Sequence, residues 1–85
     1  MDIQDFIKNF AAQFDDTEQS EFKPETKFRE IEEWSSLMAL FIIAMSEEEY
    51  KVVLKGEDIR NAKTIQDLFN IVNTRSEIIL NEPSV

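Results

Sequence analysis

Two adjacent serines, Ser35 and Ser36, are the residues of this chain best placed to do chemistry, because they directly precede an apolar run. The run extends from Leu37 to Met45 without a charged residue. A serine before such a run is a helix N-cap signal, because its hydroxyl accepts a hydrogen bond from an otherwise unpaired backbone N–H. A helix N-terminus also stabilises negative charge. A serine here can therefore cap the helix, which is the commoner outcome, or carry a covalently attached phosphate.

Other chemistries find little support among the residue types. The chain has no histidine and no cysteine, which removes the commonest general base, thiolate metal ligands and disulfides. Neither Lys27 nor Lys51 stands at a motif spacing from the serines that would suit a Ser–Lys pair. The carboxylates at 15–16 and 47–49 lack calcium-loop spacing, and consecutive ones point in different directions. We therefore expect neither catalysis by the chain itself nor a metal site.

Length, charge and composition narrow the kinds of protein that this chain can be. The 85 residues suffice for one small domain, expected at residues 1–80, with a frayed tail at 81–85. The net charge of −9 disfavours nucleic acid and favours basic patches on protein partners, although solubility alone would also account for it. The start, at residues 1–5, is not typical of a signal peptide, and no apolar run approaches the roughly 20 residues of a bilayer span. We expect a cytoplasmic monomer without a membrane span.

The spacing of apolar residues predicts the elements that position the serines. A stripe from Ile3 to Phe14 predicts a first helix over Asp2–Asp15. The connection at residues 16–34 contains Pro24, with a short helical turn possible at 26–30. We expect four large apolar side chains to hold this connection on the helices: Phe22, Phe28, Ile31 and Trp34.

The second helix is expected from Ser36 to about Tyr50, and its two apolar stripes leave open which one faces the core. After it we predict an extended linker, 51–56, with Val52 and Leu54 turned inward, and a short helix at 57–61. A last helix, capped by Thr64, should run to about residue 75, and residues 76–85 either extend it or fold back. The fold class is an all-α small bundle of three main helices plus one short helix, with a long loop between the first two.

Three segments together resemble the acyl carrier proteins. They are Phe28–Leu37 with its Trp-Ser-Ser-Leu end, the apolar helix that finishes in Glu47–Tyr50, and the late pattern from Glu57 to Leu68. The resemblance covers nearly the whole chain and implies an acyl-carrier-like bundle. It also implies that Ser36 carries a 4′-phosphopantetheine arm, attached from coenzyme A by a phosphopantetheinyl transferase. The arm's thiol would hold acyl groups as thioesters for acyl-transferring or condensing enzymes of fatty-acid, polyketide or related lipid biosynthesis.

In that family the second helix is the main docking surface for partners, which present basic and apolar patches. The resemblance places six outward docking positions beside Ser36: Leu37, Leu40, Phe41, Ala44, Glu47 and Glu48. It places five positions inward: Ala39, Ile42, Ile43, Ser46 and Tyr50.

The sequence departs from the family pattern at two places. Ser35 stands where the family has an aspartate that helps the transferase dock, so Ser35 serves as the helix cap without that charge. Phe41 and Met38 stand where acidic residues are common, with charge displaced to residues 47–49 and to Glu30, Glu32 and Glu33. These departures predict a dedicated partner with an apolar groove.

Two alternatives stay open. The loss of the aspartate would suit a carrier-like helical module that has no arm and only binds proteins. A peptidyl or aminoacyl carrier domain is disfavoured, because no glycine precedes the serine and the chain is strongly acidic.

Overall fold

Four α-helices, joined by one long and two short connections, make up the fold. The computed structural model describes residues 1–81 and the side chains of residues 1–78. The helices are α1 (Ile3–Ala11), α2 (Ser36–Tyr50), α3 (Gly56–Asn61) and α4 (Ile65–Asn81), and 3₁₀ turns at Gln19–Glu21 and Phe28–Glu30 interrupt the connection between α1 and α2. The predicted class, a small all-α bundle with one short helix, is confirmed, with no strand in the described range. The tail expected at 81–85 lies outside that range, except for Asn81, which ends α4.

Helix α1 is shorter than the predicted Asp2–Asp15. The Asp2 carboxylate caps it by accepting a hydrogen bond from the Gln4 N–H at 3.0 Å. The helix ends at Ala11, and the chain tightens so that the Phe14 N–H donates to the Ala11 carbonyl at 3.0 Å. Phe14 thereby stays buried although it lies outside the helix. The apolar stripe therefore predicts correctly that these residues are buried, but not where the helix ends.

Helix α4 continues past Arg75 to Asn81, so of the two alternatives for the residues after 75 the described ones extend the helix. Its start is the expected one: the Thr64 hydroxyl accepts a hydrogen bond from the Asp67 N–H at 3.1 Å. The Asp67 carboxylate in turn accepts from the N–H groups of Lys63 and Thr64, at 3.0 and 3.2 Å. These reciprocal bonds satisfy N–H groups that a helix start leaves unpaired.

The core centres on a cluster of aromatic side chains, in which those of α1 pack against the other helices and the long loop. Helix α1 packs against α2 and α4, and α4 also contacts α2 and α3. Phe6 meets Phe69 of α4 edge to face at a centroid distance of 5.6 Å, and Phe10 meets Phe28 of the long loop at 5.9 Å. Phe6, Phe10 and Phe28 have no exposed surface. Aromatic pairs of this geometry add about 0.5–1.5 kcal/mol each to the free energy of burial.

The long loop between α1 and α2 is held down as predicted, and also by hydrogen bonds that the sequence did not indicate. Phe22 and Phe28 are buried, and Ile31 and Trp34 pack against the core from its edge. In addition, the loop carbonyls of Pro24 and Thr26 accept hydrogen bonds from the first N–H groups of α4, at 2.8 and 3.0 Å. The loop is therefore fixed both to the core and to the start of α4.

The linker after α2 begins with a sharp reversal at Lys51. Lys51 has φ 60° and ψ 26°, a left-handed conformation that closes many helices and that glycine adopts most readily. The hydroxyl of Ser46, which is fully buried, donates to the carbonyl of Val52 at 3.0 Å. Val52 and Leu54 are buried as predicted. Ser46, a weak point of the inward stripe by hydrophobicity, is thus the residue that fixes the linker.

An ion pair attaches the short helix α3 to α4. The guanidinium of Arg75 makes two hydrogen bonds to the Asp58 carboxylate, at 2.7 and 2.8 Å. Asp58 also accepts from the Lys55 N–H at 2.8 Å, and Ile59 anchors α3 in the core. In the described part of the chain, no helix is both long enough and apolar enough to cross a membrane.

Candidate functional site

The two adjacent serines hold different positions at the start of α2. Ser35 is the N-cap of α2: its hydroxyl accepts a hydrogen bond from the Met38 N–H at 3.3 Å, and its carbonyl accepts from the Ala39 N–H at 3.1 Å. Ser36 is the first residue of the helix and is exposed. The predicted start of α2 is therefore confirmed. Both serines are exposed residues.

The loop holds these serines in place through Trp34. The Trp34 ring contacts Phe28 at a centroid distance of 5.0 Å and Phe14 at 6.3 Å. The Trp34 N–H donates to the Ile31 carbonyl at 2.9 Å. The chain therefore enters α2 from a residue that is packed on the core, which sets the direction of the first helical turn.

Helix α2 presents its two stripes as the resemblance implies. Its outward side chains are exposed, with 57% of Leu37, 61% of Leu40 and 43% of Phe41 accessible to solvent. The exposed stripe also includes Ala44, Glu47 and Glu48.

On the inward side of α2, Ile42 and Ser46 have no exposed surface, and Ala39, Ile43 and Tyr50 are partly buried. The Tyr50 hydroxyl accepts a hydrogen bond from the Asn9 side-chain amide at 2.8 Å, which joins α2 to α1. Partial burial raises the pKa of Tyr50.

Two residues expected at the docking face lie elsewhere. Met38 is buried with Met45 in the core, and both belong to the inward side. A helix that is apolar on every side gives no periodicity to place them. Glu33 is turned toward the end of α1, so its carboxylate is not a freely exposed charge for a partner.

The Glu33 carboxylate closes the turn that follows α1. It accepts hydrogen bonds from the N–H groups of Asp15 and Asp16, at 2.8 and 3.0 Å, and from the Thr17 hydroxyl at 2.7 Å. The Thr17 hydroxyl, followed by the backbone N–H groups, holds the pKa of Glu33 below its ordinary value. These bonds pair the N–H groups of the turn beyond the end of α1 and fix that turn to the long loop.

A groove opens beside Ser36, between the start of α2 and α3. Its volume is about 520 Å³, within the rough range of 300–1,000 Å³ that small-molecule sites occupy. Loop, α2 and α3 all contribute to its lining: Arg29, Trp34, Ser35, Ser36, Ala39, Gly56, Ile59 and Arg60. Ser36 is thus exposed and also lines the groove.

The sequence did not predict that α3 forms one wall of this groove, or that two guanidinium groups line it. Arg29 lies in the loop, and its Nη1 donates to the carbonyls of Ile59 and Ala62, at 2.5 and 2.6 Å. Arg60 lies on α3, and its Nη1 is 3.4 Å from the place where a Cβ on Gly56 would be. No spacing rule links residues 29 and 60, so the sequence carried no signal for this pairing.

The groove has the volume of a binding site, and its lining offers Ser36 no general base. The charged side chains that line the groove are guanidiniums, which do not lose their protons in proteins and so supply no base to Ser36. Within residues 1–78, no group of three carboxylates lies close enough to hold a metal ion. Comparison of the chain with protein-family models, with curated proteins and with solved structures finds no match.

Proposed function

We propose that this chain is a carrier of acyl groups, which it holds as thioesters on a 4′-phosphopantetheine arm attached to Ser36. The fold is acyl-carrier-like in this proposal, and coenzyme A is the source of the arm. A phosphopantetheinyl transferase forms the bond between the Ser36 oxygen and the arm's phosphate. The chain itself is not an enzyme. It delivers its cargo to acyl-transferring or condensing enzymes of fatty-acid, polyketide or related lipid biosynthesis.

The observation that carries the proposal is the position of Ser36. Its hydroxyl is exposed at the N-terminus of α2, where the helix dipole stabilises a phosphodiester by about 0.3–1 kcal/mol. Ser35 supplies the cap, so modification of Ser36 leaves that hydrogen bond intact. Ser35 is also exposed, but its hydroxyl is engaged in the cap, whereas Ser36 is the first residue inside the helix.

The exposed stripe of α2 supports docking to partner enzymes. Leu37, Leu40 and Phe41 are among the most exposed large apolar side chains of the chain's described part, and they follow Ser36 directly. Glu47 and Glu48 lie at the far end of the same face. A partner that fits this face combines an apolar groove, near its own active site, with basic residues farther away.

The decisive experiment is incubation with coenzyme A and a broad-specificity phosphopantetheinyl transferase, followed by intact-mass measurement. We expect a mass gain of one phosphopantetheine group in the natural chain and in Ser35→Ala. Ser36→Ala should gain nothing. If no transferase loads the chain, or if Ser36→Ala still takes the arm, the proposal is wrong.

A second candidate is a carrier-like module that binds proteins without an arm. The cap supports it, because Ser35 satisfies the helix start without the carboxylate that transferases of this family use for docking. The apolar stripe serves partner binding in either case. Failure of loading together with retained partner binding by the stripe would favour this candidate.

A further inference from the structure

Two guanidinium groups line the groove at Ser36 in a chain that is otherwise strongly acidic. The sequence has 18 acidic and 9 basic residues, yet the charged side chains that line this groove are Arg29 and Arg60. Neither forms an ion pair with a carboxylate of the described residues, where the pair is Arg75 with Asp58. A guanidinium has no acceptor capacity and pairs best with a carboxylate or phosphate. The groove therefore presents positive charge that the protein itself does not neutralise.

The direction of Arg60 makes this placement informative. Glu57 lies three residues earlier on the exposed side of α3, where i,i+3 pairs of opposite charge commonly form. The Arg60 guanidinium lies near Gly56 instead, with its Nη1 3.4 Å from the place where a Cβ on Gly56 would be. Gly56 is the one glycine in the sequence. Arg60 and Gly56 both line the groove.

Arg29 contributes a fixed cation from the other wall. Its Nη1 is used by the carbonyls of Ile59 and Ala62, which hold the guanidinium at the end of α3. A guanidinium has five N–H donors, so this bonding leaves donors for a ligand. Arg29 is thus preorganised by the protein, while Arg60 is the more adaptable of the two.

We propose that this groove is an anion-binding site, in which Arg60 and Arg29 hold an anionic oxygen group carried on Ser36. The inference rests on the proposed function, since it requires an arm at Ser36. Two sources supply the same chemistry. One is the phosphodiester that joins the arm to Ser36, which lies one bond from the serine oxygen and is the favoured occupant. The other is a carboxylate at the end of a dicarboxylic acyl cargo.

The consequence for cargo differs between the two sources. If the phosphodiester is held, the arm leaves the protein along α3, and the site orients the arm for every cargo. If a terminal carboxylate is held, the site selects succinyl-type over neutral acyl groups. Bidentate guanidinium contacts discriminate between these cases because a neutral acyl chain offers them no acceptor.

The test compares loaded forms of the natural chain by NMR, after intact mass has established that each is fully loaded. Three forms are prepared: the free thiol, the butyryl thioester and the succinyl thioester. The signals followed are the Arg60 side-chain N–H, the Gly56 amide and the ³¹P resonance of the arm. Arg60→Gln removes the adaptable cation, and Gly56→Ala places a methyl group against it. Lys8→Gln is the matched control, because it removes one positive charge from exposed α1 outside the groove.

The phosphodiester source predicts that all three loaded forms shift the Arg60 and Gly56 signals relative to the unloaded protein. The ³¹P resonance should then move toward its urea-unfolded position in Arg60→Gln, and stay in Lys8→Gln and in Gly56→Ala, whose methyl group reaches only ordinary contact with the guanidinium. The carboxylate source predicts shifts with succinyl only. Full loading without a shift of Arg60 in any form would overturn the anion site and leave the carrier proposal standing. Absence of loading would overturn both.

Discussion

The ion pair between Asp58 and Arg75 should decide whether α3 stays in place as the wall of the groove. Replacing Asp58 by asparagine keeps the shape of the side chain and removes its charge. The Asp58 side chain is 12% exposed and that of Arg75 is 41% exposed, so the pair is only partly removed from water. The substitution therefore isolates the charge contribution of a half-buried contact between α3 and α4.

The expected cost follows from the three hydrogen bonds that the carboxylate accepts. Two come from Arg75 and one from the Lys55 N–H. Hydrogen bonds to charged groups contribute about 1.5–3 kcal/mol, and breaking a fully buried pair costs about 3–5 kcal/mol. Asparagine keeps one acceptor oxygen, and Arg75 can turn to water. We therefore expect Asp58→Asn to lower the free energy of unfolding by about 2 kcal/mol.

The same contact predicts a pH dependence. The hydrogen bonds from Arg75, followed by that from the Lys55 N–H, lower the pKa of Asp58 below its ordinary value of 3.8. A carboxyl group with a lowered folded-state pKa stabilises the fold fully above the unfolded-state value, and this stabilisation is lost as the pH falls through the folded-state pKa. The natural chain and Asp58→Asn should therefore differ most at pH 7. Their free energies of unfolding should begin to converge as the pH falls below about 4, and converge fully only below the folded-state pKa.

Urea denaturation followed by circular dichroism, at several pH values from 7 to 3, measures this difference. About 2 kcal/mol corresponds to a fall of roughly 8–16 °C in Tm for a domain of this size. Asp16→Asn is the matched control, because it removes the same charge from an exposed carboxylate. A loss below about 0.5 kcal/mol, or a loss that is unchanged between pH 7 and pH 3, would refute the reasoning.

Two further substitutions test the end and the outer face of α2. Lys51→Gly should raise the free energy of unfolding by about 0.5 kcal/mol in thermal denaturation, because relief of the strain of a left-handed residue outweighs the entropy that glycine adds to the unfolded state. Lys8→Gly, a right-handed helical position in the last turn of α1, should instead lower it by up to about 1 kcal/mol, and equal effects would contradict the explanation. Phe41→Glu should reduce the kcat/KM of transferase loading roughly tenfold, by losing about 1.4 kcal/mol of apolar contact. Val53→Glu, at an exposed apolar site outside α2, should change it little, and unchanged loading of Phe41→Glu at low salt would exclude α2 as the docking face.

Local signals in the sequence were sufficient to predict where α2 begins and which apolar side chains hold the long loop on the core. Ser35 caps α2 through a hydrogen bond within four residues of chain, and such contacts are readable from spacing. Phe22 and Phe28 were predicted to hold the loop because large apolar side chains have few other places to go. Neither prediction required knowing which helix packs against these residues.

The contacts that the sequence did not indicate join residues far apart in the chain. Glu33, Arg29 and Arg75 look like ordinary surface charges in sequence, and nothing local separates a solvated charge from one that holds two elements together. Met38 was misplaced for a different reason. Residues 38, 42 and 45 have helical spacing, but α2 is apolar all round, so several stripes fit equally well. Which stripe is buried depends on the arrangement of α1 and α4.

Arg29 has a mechanical consequence for the long loop and α3. It belongs to the loop, yet it donates hydrogen bonds to the carbonyls of Ile59 and Ala62 at the end of α3, so a side chain ties the two segments together. A displacement of α3 relative to the loop would therefore have to break both hydrogen bonds.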